Sequence, residues 1–222
     1  LPGMLYGKIK RSAFAHAKIL HIDVSNAEKL SGVKAIVTGK EFAANFNTPV
    51  LGNPIADQPF LAVEKVRYVG EPIAVVAVIS QEIAEDALDL ISVEYEELPP
   101  VLNIEDALKD KAPLVHESFD NYRYSLGYKS MENSNMCHYI GIQNGNIDEG
   151  FKESDFIFED TFTHPSTHHV PMECRSAIAQ FNCNGNITVW APDQSPYGGR
   201  KLIANALKMS ESKVRFITPP YI

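Results

Sequence analysis

One apolar run, residues 72–79 (PIAVVAVI), most constrains how this chain can fold. Continuous β-branched runs are typical of strands that are buried on both faces, so we expect this strand to be central in its sheet. Ser80 then caps a helix, and residues 92–98 (SVEYEEL) alternate as a further strand. The apolar positions of the helix share one face, at Ile83, Ala84, Ala87, Leu88 and Ile91. The sequence therefore predicts a compact α/β layer of strand, helix and strand.

Two strands and a short helix are predicted upstream of this layer. Residues 18–24 (KILHIDV) alternate between apolar and polar side chains, and residues 33–38 have a similar strand-like composition. Between these strands, Ser25 and Glu28 have the spacing of a capping box, and Gly32 indicates where the helix ends. A short strand at residues 65–68 completes the prediction for this part of the chain.

The second half of the chain is predicted to be richer in strands. Asn184-Gly185 is a hairpin signal that joins a strand at residues 176–182 to another at residues 187–190. Ser195 and Pro196 have the residue types that begin a helix. The other predicted elements are strands at residues 138–142, 156–164 and 213–218 and helices at residues 148–153 and 195–208.

A connection between two domains is predicted downstream of residue 99. It contains two consecutive prolines, a short helical piece at residues 104–108 and a polar, tyrosine-rich stretch, which is the usual composition of such a connection. We place the boundary within residues 115–135. The predicted domains are residues 1–120 and 121–222.

Charge and cysteine content exclude several classes of protein. The formal net charge of −8 includes no basic run, so we expect no nucleic-acid partner. No apolar stretch reaches the roughly 18 residues of a membrane span, so we expect no membrane association. Three scattered cysteines suit reduced thiols and favour a cytoplasmic location. Both ends of the sequence interrupt a predicted segment, so we also expect a piece of a longer protein.

The densest group of possible metal ligands lies in a predicted loop and comprises His164, His168, His169, Glu173 and Cys174. Loops commonly carry functional residues, and these side chains are zinc ligands in other proteins. Their spacing matches no common zinc motif, and a His-rich loop is more often a hydrogen-bonded or surface loop. A small zinc hydrolase is kept as a remote alternative.

A second candidate site follows the strand that ends at Trp190. The phrase WAPDQSPYGG presents a polar Gln194 directly before a helix start, where backbone N–H groups have no intrahelical partner. A glutamine amide can donate to a metal-oxo oxygen, and a helix start can donate to phosphate or pterin oxygens. Ordinary capping by Ser195, with Pro196 in the first helical position, is the alternative interpretation.

Two other phrases are interpreted as structural. Residues 67–72 (RYVGEP) place Gly70 where a turn between strands needs it. The acidic residues of the first long helix lie opposite its apolar face, so we expect a solvated surface and no pair of catalytic carboxylates. These acidic residues are Glu82, Glu85, Asp86 and Asp89.

Taken in order, these phrases resemble the large subunits of the xanthine dehydrogenase and aldehyde oxidase family of molybdenum hydroxylases. The resemblance runs through LPGMLYGKIKRSAFAHAKI, GVKAIVTGKEF, KVRYVGEPIAVVAV and AEDALDLISVEYEELPPV, and then through EDTFTHPSTHHVPMECRSAIAQF, ITVWAPDQSP and RKLIANALKMSESKVRFITP. It covers nearly the whole chain. It implies an α+β protein, with an N-terminal α/β hammerhead domain followed by the first part of the molybdenum-cofactor-binding domain.

The resemblance also implies a cofactor and one site residue. Gln194 resembles the glutamine whose amide reaches an oxo ligand of molybdenum, and the cofactor is implied to be molybdenum–molybdopterin or its cytosine dinucleotide form. Cys174 departs from the family pattern, because members usually carry proline after the glutamate that corresponds to Glu173. The catalytic glutamate and a glycine-rich cofactor loop are implied to lie beyond Ile222, so no catalytic residue is assigned here.

The partners implied by the resemblance are iron–sulfur and FAD subunits or domains of the same complex, the remainder of the molybdenum-binding subunit and a small-molecule substrate. The expected reaction is oxidative hydroxylation of a purine or related N-heterocycle, with electrons passed through 2Fe–2S clusters to FAD. Oxidation of aldehydes or of aromatic acyl-CoA thioesters is an alternative. Another alternative is a non-catalytic scaffolding fragment, and we expect the isolated chain to be inactive.

Overall fold

The structure is a computed structural model that describes residues 2–46, 51–52, 55–117 and 133–219. The strands are β1 (Tyr6–Arg11), β2 (Ala17–Asp23), β3 (Val33–Thr38), β4 (Lys65–Val66), β5 (Pro72–Val78), β6 (Ser92–Glu97), β7 (Ile178–Phe181), β8 (Ile187–Trp190) and β9 (Val214–Ile217). The helices are α1 (Ser25–Glu28), α2 (Gly39–Asn45), α3 (Gln81–Leu90), α4 (Ile104–Ala107), α5 (Ile147–Glu153) and α6 (Pro196–Ala206). The described strands form three separate sheets.

The first sheet has the order β1-β5-β3 and is antiparallel throughout. Its central strand, β5, is the apolar run that the sequence placed at the centre, so that prediction is confirmed. Helix α3 packs on one face of this sheet, and the Ser80 side chain accepts a hydrogen bond from the Ile83 backbone N–H to cap it, as predicted. The core between them includes Ala74, Val76, Val78, Ala84 and Ala87, all fully buried.

The second sheet has the order β4-β2-β6 and holds a smaller core around Ala17, Ala62, Val66 and Ile73. The predicted α/β layer is therefore divided, because β5 and β6 flank α3 in sequence but belong to different sheets. The side chains of β6 alternate in exposure, and β6 pairs with β2 along almost its whole length. The local pattern predicts β5 and β6 correctly but does not specify which strand each of them will pair with.

The third sheet has the order β7-β8-β9. β7 and β8 form the predicted antiparallel hairpin, in which Gly185 has a positive φ of 73°. β9 pairs with β8 in parallel, and α6 connects the two strands. This β8–α6–β9 unit has its own core of Ile187, Val189, Ala204 and Val214.

Several local predictions were wrong. Residues 138–142 and 156–164 are not strands, because no described strand pairs with them. The second part of the described chain is therefore not the richer in strands, since six of the nine described strands precede residue 98. The capping box expected at Ser25 is absent because α1 begins at Ser25 itself, with Val24 as its cap residue. A capping box exists instead between Thr38 and Glu41 at the start of α2, a helix that the sequence analysis did not predict.

Two further points concern the limits of the domains and of the helices. The predicted boundary within residues 115–135 falls largely outside the described residues, so the division into residues 1–120 and 121–222 stays a prediction. Within the described part of the chain, every helix is too short or too polar to cross a membrane.

Candidate functional site

The candidate site lies at one end of the β8–α6–β9 unit. Because β8 and β9 are parallel and α6 connects them, the carboxyl ends of both strands and the amino end of α6 lie on the same side. Ligands of open α/β sheets bind at this side, outside the carboxyl ends of the strands. The backbone N–H of Ala191 donates to the Ile217 carbonyl at 3.1 Å and extends the pairing to the point where the β8–α6 loop begins.

Gln194 occupies that loop and is exposed. The preceding residue, Asp193, accepts a hydrogen bond from the Ser195 backbone N–H at 2.7 Å, which closes a tight local turn around Gln194. Among the residues that the structure describes, the Gln194 amide has no hydrogen-bond partner. The loop therefore presents a free amide donor and acceptor at the ligand-binding end of the unit.

The start of α6 lacks the side-chain hydrogen bond that usually caps a helix. Pro196 is in the first helical position, as predicted, but the Ser195 side chain makes no capping hydrogen bond and the first turn contains no acidic residue. The capping interpretation is thus only half right. Within the described residues, the backbone N–H groups of Tyr197 and Gly198 have no acceptor. An uncapped helix start of this kind favours an anionic ligand group.

Close packing around Gly199 positions this helix start. A β-carbon at Gly199 would lie 2.8 Å from Cε2 of Phe216 on β9 and 2.9 Å from Oδ2 of Asp193. Glycine thus allows the first turn of α6 to lie directly against β9 and against the turn that presents Gln194. No local sequence signal marks this glycine, because the close approach involves residues that are distant in the sequence.

A groove of about 410 Å³ lies beside this helix start, along the open edge of β9. Its lining includes Tyr197, Arg200, Arg215 and Thr218. Arg200 pairs with Glu211 at 3.1 Å, and its guanidinium carbon lies 5.7 Å from the centre of the Tyr197 ring. Within the described residues, Nε of Arg200 and Oγ1 of Thr218 are buried without a hydrogen-bond partner. The sequence pattern indicates only the apolar positions of this helix and gives no signal for these groups.

The histidine-rich loop does not form an alternative metal centre among the described residues. His164, His168, His169, Glu173 and Cys174 all lie in an exposed segment without helix or strand. One local contact orders it, a 2.9 Å hydrogen bond from the Val170 N–H to Nδ1 of His168. No three His, Cys, Asp or Glu side chains are placed to hold a metal ion in the described parts of the chain. The arrangement gives the zinc interpretation no support.

Ionisable groups also cluster in the first domain, where β4 contacts residues 113–117. Lys65 is only 6% exposed, and its ammonium group donates to Oε1 of Glu117 at 2.5 Å and to the Leu114 carbonyl at 3.2 Å. Burial lowers the pKa of Lys65. Burial also lowers the pKa of His116, to about 4, with the charges of Arg67 and Lys65 as further causes.

Arg67 and Glu71 complete this cluster. The backbone N–H of Arg67 donates to Oε2 of Glu71 at 2.5 Å, and its Nε donates to the Val115 carbonyl at 3.2 Å. Glu71 is 2% exposed, and this burial raises its pKa. Because these contacts tie the segment after α4 to the sheet, the cluster stabilises the domain connection. This agrees with the structural interpretation of the phrase at residues 67–72.

Two regions of the chain match models of known protein families. A family model described as the a/b hammerhead domain of aldehyde oxidase and xanthine dehydrogenase matches residues 1–99. A second model, described as a molybdopterin cofactor-binding domain, matches residues 129–221 and so includes Gln194 and α6. The two matches occur in the order that the sequence analysis predicted.

Individual relatives match almost the whole chain. It is 39% identical over 219 residues to a probable xanthine dehydrogenase subunit of Bacillus subtilis and 32% identical over 223 residues to the carbon monoxide dehydrogenase large chain of Afipia carboxidovorans, covering 99% of this chain in both cases. The crystal structure of quinoline 2-oxidoreductase from Pseudomonas putida 86 matches 99% of it, with 31% identity and a TM-score of 0.76.

The chain spans 27% of the length of each of these three proteins. The fold, the order of the two matched regions and the relatives all indicate the same family. The chain belongs to the xanthine dehydrogenase and aldehyde oxidase family of molybdenum-dependent oxidoreductases and carries its hammerhead domain and the beginning of its molybdopterin cofactor-binding domain.

Proposed function

We propose that this chain is part of the large subunit of a molybdenum hydroxylase that oxidatively hydroxylates a purine or a related N-heterocycle. The observation that carries the proposal is the junction between β8 and α6. There an amide that has no hydrogen-bond partner among the described residues and an uncapped helix start lie together at the carboxyl ends of two parallel strands. Both supply N–H donors, and a molybdopterin cofactor supplies oxo and phosphate oxygens as acceptors, so the residues fit this group.

The role proposed for these residues is to hold and orient the cofactor. When bound, molybdenum–molybdopterin would supply the two-electron oxidation of the substrate. Gln194 would donate its amide N–H to an oxygen of this group and so fix its orientation. The backbone N–H groups of Tyr197 and Gly198 would donate to a second, anionic part of it. Mass spectrometry of the nucleotide released from the purified enzyme would distinguish molybdopterin from its cytosine dinucleotide form.

An N-heterocycle is proposed as the substrate because two of the three compared proteins carry an aromatic N-heterocycle, xanthine or quinoline, in their names. Purines are preferred because the relative with the highest identity among the three is named as a probable xanthine dehydrogenase. The carbon monoxide dehydrogenase of Afipia carboxidovorans represents the competing chemistry. A substrate panel of hypoxanthine, xanthine, nicotinate, an aldehyde and carbon monoxide would discriminate among these classes.

Electron transfer is assigned to partner subunits or domains. A 2Fe–2S cluster needs four ligands, usually cysteine thiolates. This chain has three cysteines, Cys137, Cys174 and Cys183, and all three are exposed and unpaired by disulfides. We therefore propose that 2Fe–2S clusters and FAD are bound by the partners. The free thiols also favour a reducing, cytoplasmic location.

The substitution Gln194→Ala in the complete enzyme, purified with its partner subunits, tests the proposal. We expect turnover of the preferred heterocycle to fall about 10–100-fold, as it does when a group that orients a metal centre is removed. Molybdenum and pterin content would be measured on the same samples. Gln143→Ala is the matched control, because Gln143 is an exposed glutamine outside this junction.

Two results would contradict the proposal. Stoichiometric molybdenum with an unchanged turnover number in Gln194→Ala would show that this glutamine does not face the cofactor. Wild-type enzyme without molybdenum or pterin would refute the assignment of the hydroxylase itself. A normal Gln143→Ala variant shows that an effect at Gln194 does not come from the loss of any surface amide.

A further inference from the structure

The sequence contains the tetrapeptide Asn-Gly-Asn-Ile twice, at residues 144–147 and at residues 184–187. In both copies the glycine has a positive φ, 75° at Gly145 and 73° at Gly185, and nothing lies within 4 Å of the position that a β-carbon would take. Asn144 and Asn184 are both exposed. The two copies therefore share their local sequence and the backbone conformation of the glycine, so any difference in their chemistry must come from their surroundings.

An Asn-Gly pair can react with itself. The glycine backbone nitrogen loses its proton and forms a bond to the side-chain carbonyl carbon of the asparagine, and the bond from that carbon to the amide nitrogen breaks, so that ammonia leaves. The resulting succinimide takes up water and opens to aspartate or isoaspartate. One water is consumed and one ammonia is released, without oxidation or reduction. Glycine permits this attack because it has no side chain to obstruct it.

In the second copy, hydrogen bonds hold the nucleophile in place. The Gly185 N–H donates to the Asn182 carbonyl at 3.0 Å, so this bond must break before the nitrogen can attack. The N–H groups of Asn184 and Asn186 both donate to Oδ1 of Asn182 at 3.1 Å, and β7 and β8 pair on either side of the turn. Attack by the Gly185 nitrogen therefore requires local opening of the hairpin.

In the first copy, the nucleophile is not held in this way. The Gly145 N–H has no acceptor among the described residues. Nε2 of Gln143 donates to the Gly145 carbonyl at 3.4 Å, a contact that does not involve the glycine nitrogen. Residues 133–146 contain no helix and no strand. The Gly145 nitrogen can therefore approach the Asn144 side chain without the opening of a hairpin.

We propose that Asn144 is a site of spontaneous deamidation, in which the Gly145 backbone nitrogen displaces the side-chain amide nitrogen, and that the β7–β8 hairpin protects Asn184 from the same reaction. The isoaspartate product has an additional main-chain carbon directly before Gly145. It therefore changes how the chain enters α5, which Asn146 caps by accepting the Glu149 N–H at 3.3 Å. This inference is independent of the proposed function, because the reaction needs only this chain and water.

Incubation of the complete, wild-type subunit in a mildly alkaline buffer tests the proposal. Mass spectrometry of its peptides over time measures how fast the amide is replaced by a carboxyl group at residues 144 and 184. We expect the reaction at Asn144 to be at least about 5-fold faster, which corresponds to the net contribution of one hydrogen bond. In a urea-unfolded sample the two residues should react at equal rates, because their tetrapeptides are identical.

Two variants separate the contributions of the glycine and of the hairpin. Gly145→Ala should slow the reaction at Asn144, because a β-carbon then obstructs the attacking nitrogen. Asn182→Ala removes the Oδ1 acceptor of the hairpin turn, so it should raise the rate at Asn184 toward that of Asn144. The rate at Asn144 should be the same in Asn182→Ala and in the wild type.

Equal rates at Asn144 and Asn184 in the folded subunit, or no reaction at Asn144, overturn the proposal. A rate difference that persists in urea also overturns it, because the flanking sequence would then be the cause. An unchanged rate at Asn184 in the Asn182→Ala variant overturns the protective role of the hairpin turn.

Discussion

The adjacent glycines at the start of α6 allow a test of how this junction is held. A β-carbon at Gly199 would lie 2.8 Å and 3.0 Å from two atoms of the Phe216 ring and 2.9 Å from Oδ2 of Asp193. The ring is packed against the core of the β8–α6–β9 unit, so it cannot easily move away. A β-carbon at Gly198 would meet mainly the Ser195 hydroxyl, at 2.7 Å, and that hydroxyl can rotate.

We therefore expect Gly199→Ala and Gly198→Ala to differ in stability by about 1–3 kcal/mol. Both substitutions gain up to about 1 kcal/mol of helix propensity, so this contribution cancels in the comparison. Overpacking costs about 1–3 kcal/mol, and it applies to Gly199→Ala alone. Gly198→Ala should be neutral or slightly stabilising.

The assay is urea unfolding of the purified subunit, with molybdenum and pterin content measured in parallel. Gly199→Ala should lower the unfolding midpoint and the cofactor content together, because the same overlap displaces the Asp193 turn that presents Gln194. Equal stability and equal cofactor content in the two variants would refute the close approach of α6 to β9 and with it our explanation of how Gln194 is positioned.

Two further predictions concern the first domain and its connection. Asn135 accepts a hydrogen bond from the Val115 N–H at 2.9 Å and donates to the carbonyls of Ala107 and Pro113. Asn135→Ala should therefore lower local stability by about 1–3 kcal/mol and speed proteolytic cleavage of the connection. Asn144→Ala, at an exposed position, should do neither. Burial raises the pKa of Glu71, so its ionisation lowers stability as pH rises from its unfolded-state value of 4.5 through the raised value. The melting temperature of Glu71→Gln relative to wild type should therefore increase between pH 4 and pH 7, and a constant difference would contradict the burial of this carboxyl.

Elements with a strong local signal could be predicted from the sequence. The β-branched run of β5, the Ser80 cap with the apolar face of α3, and the Asn184-Gly185 turn each determine structure within about ten residues. The unpredicted helix α2 also has a local signal, the capping box of Thr38 and Glu41, so that omission was avoidable. The capping box predicted at Ser25 does not form, so the spacing of Ser and Glu does not by itself determine which residue caps a helix.

Features that depend on distant residues could not be predicted in this way. The separation of β5 and β6 into two sheets depends on pairing with β1 and β2, and the 156–164 segment lacks a described partner altogether. At the candidate site, the resemblance identified Gln194, but the missing cap of α6 and the close approach at Gly199 depend on how the helix lies against β9. The sequence suggested a side-chain cap there because Ser followed by Pro is common at the start of a helix.

The distribution of buried residues shows which stretches of the described chain have a core of their own. Buried residues lie before residue 92 and again from Ile187 to Val214, with none in the described residues between. The first domain therefore has its own cores and fixes its connection through Lys65, Arg67 and Asn135. The junction at Gln194 rests on the small core of the β8–α6–β9 unit, and Gln194 itself is exposed. A cofactor bound there would need further walls to exclude water.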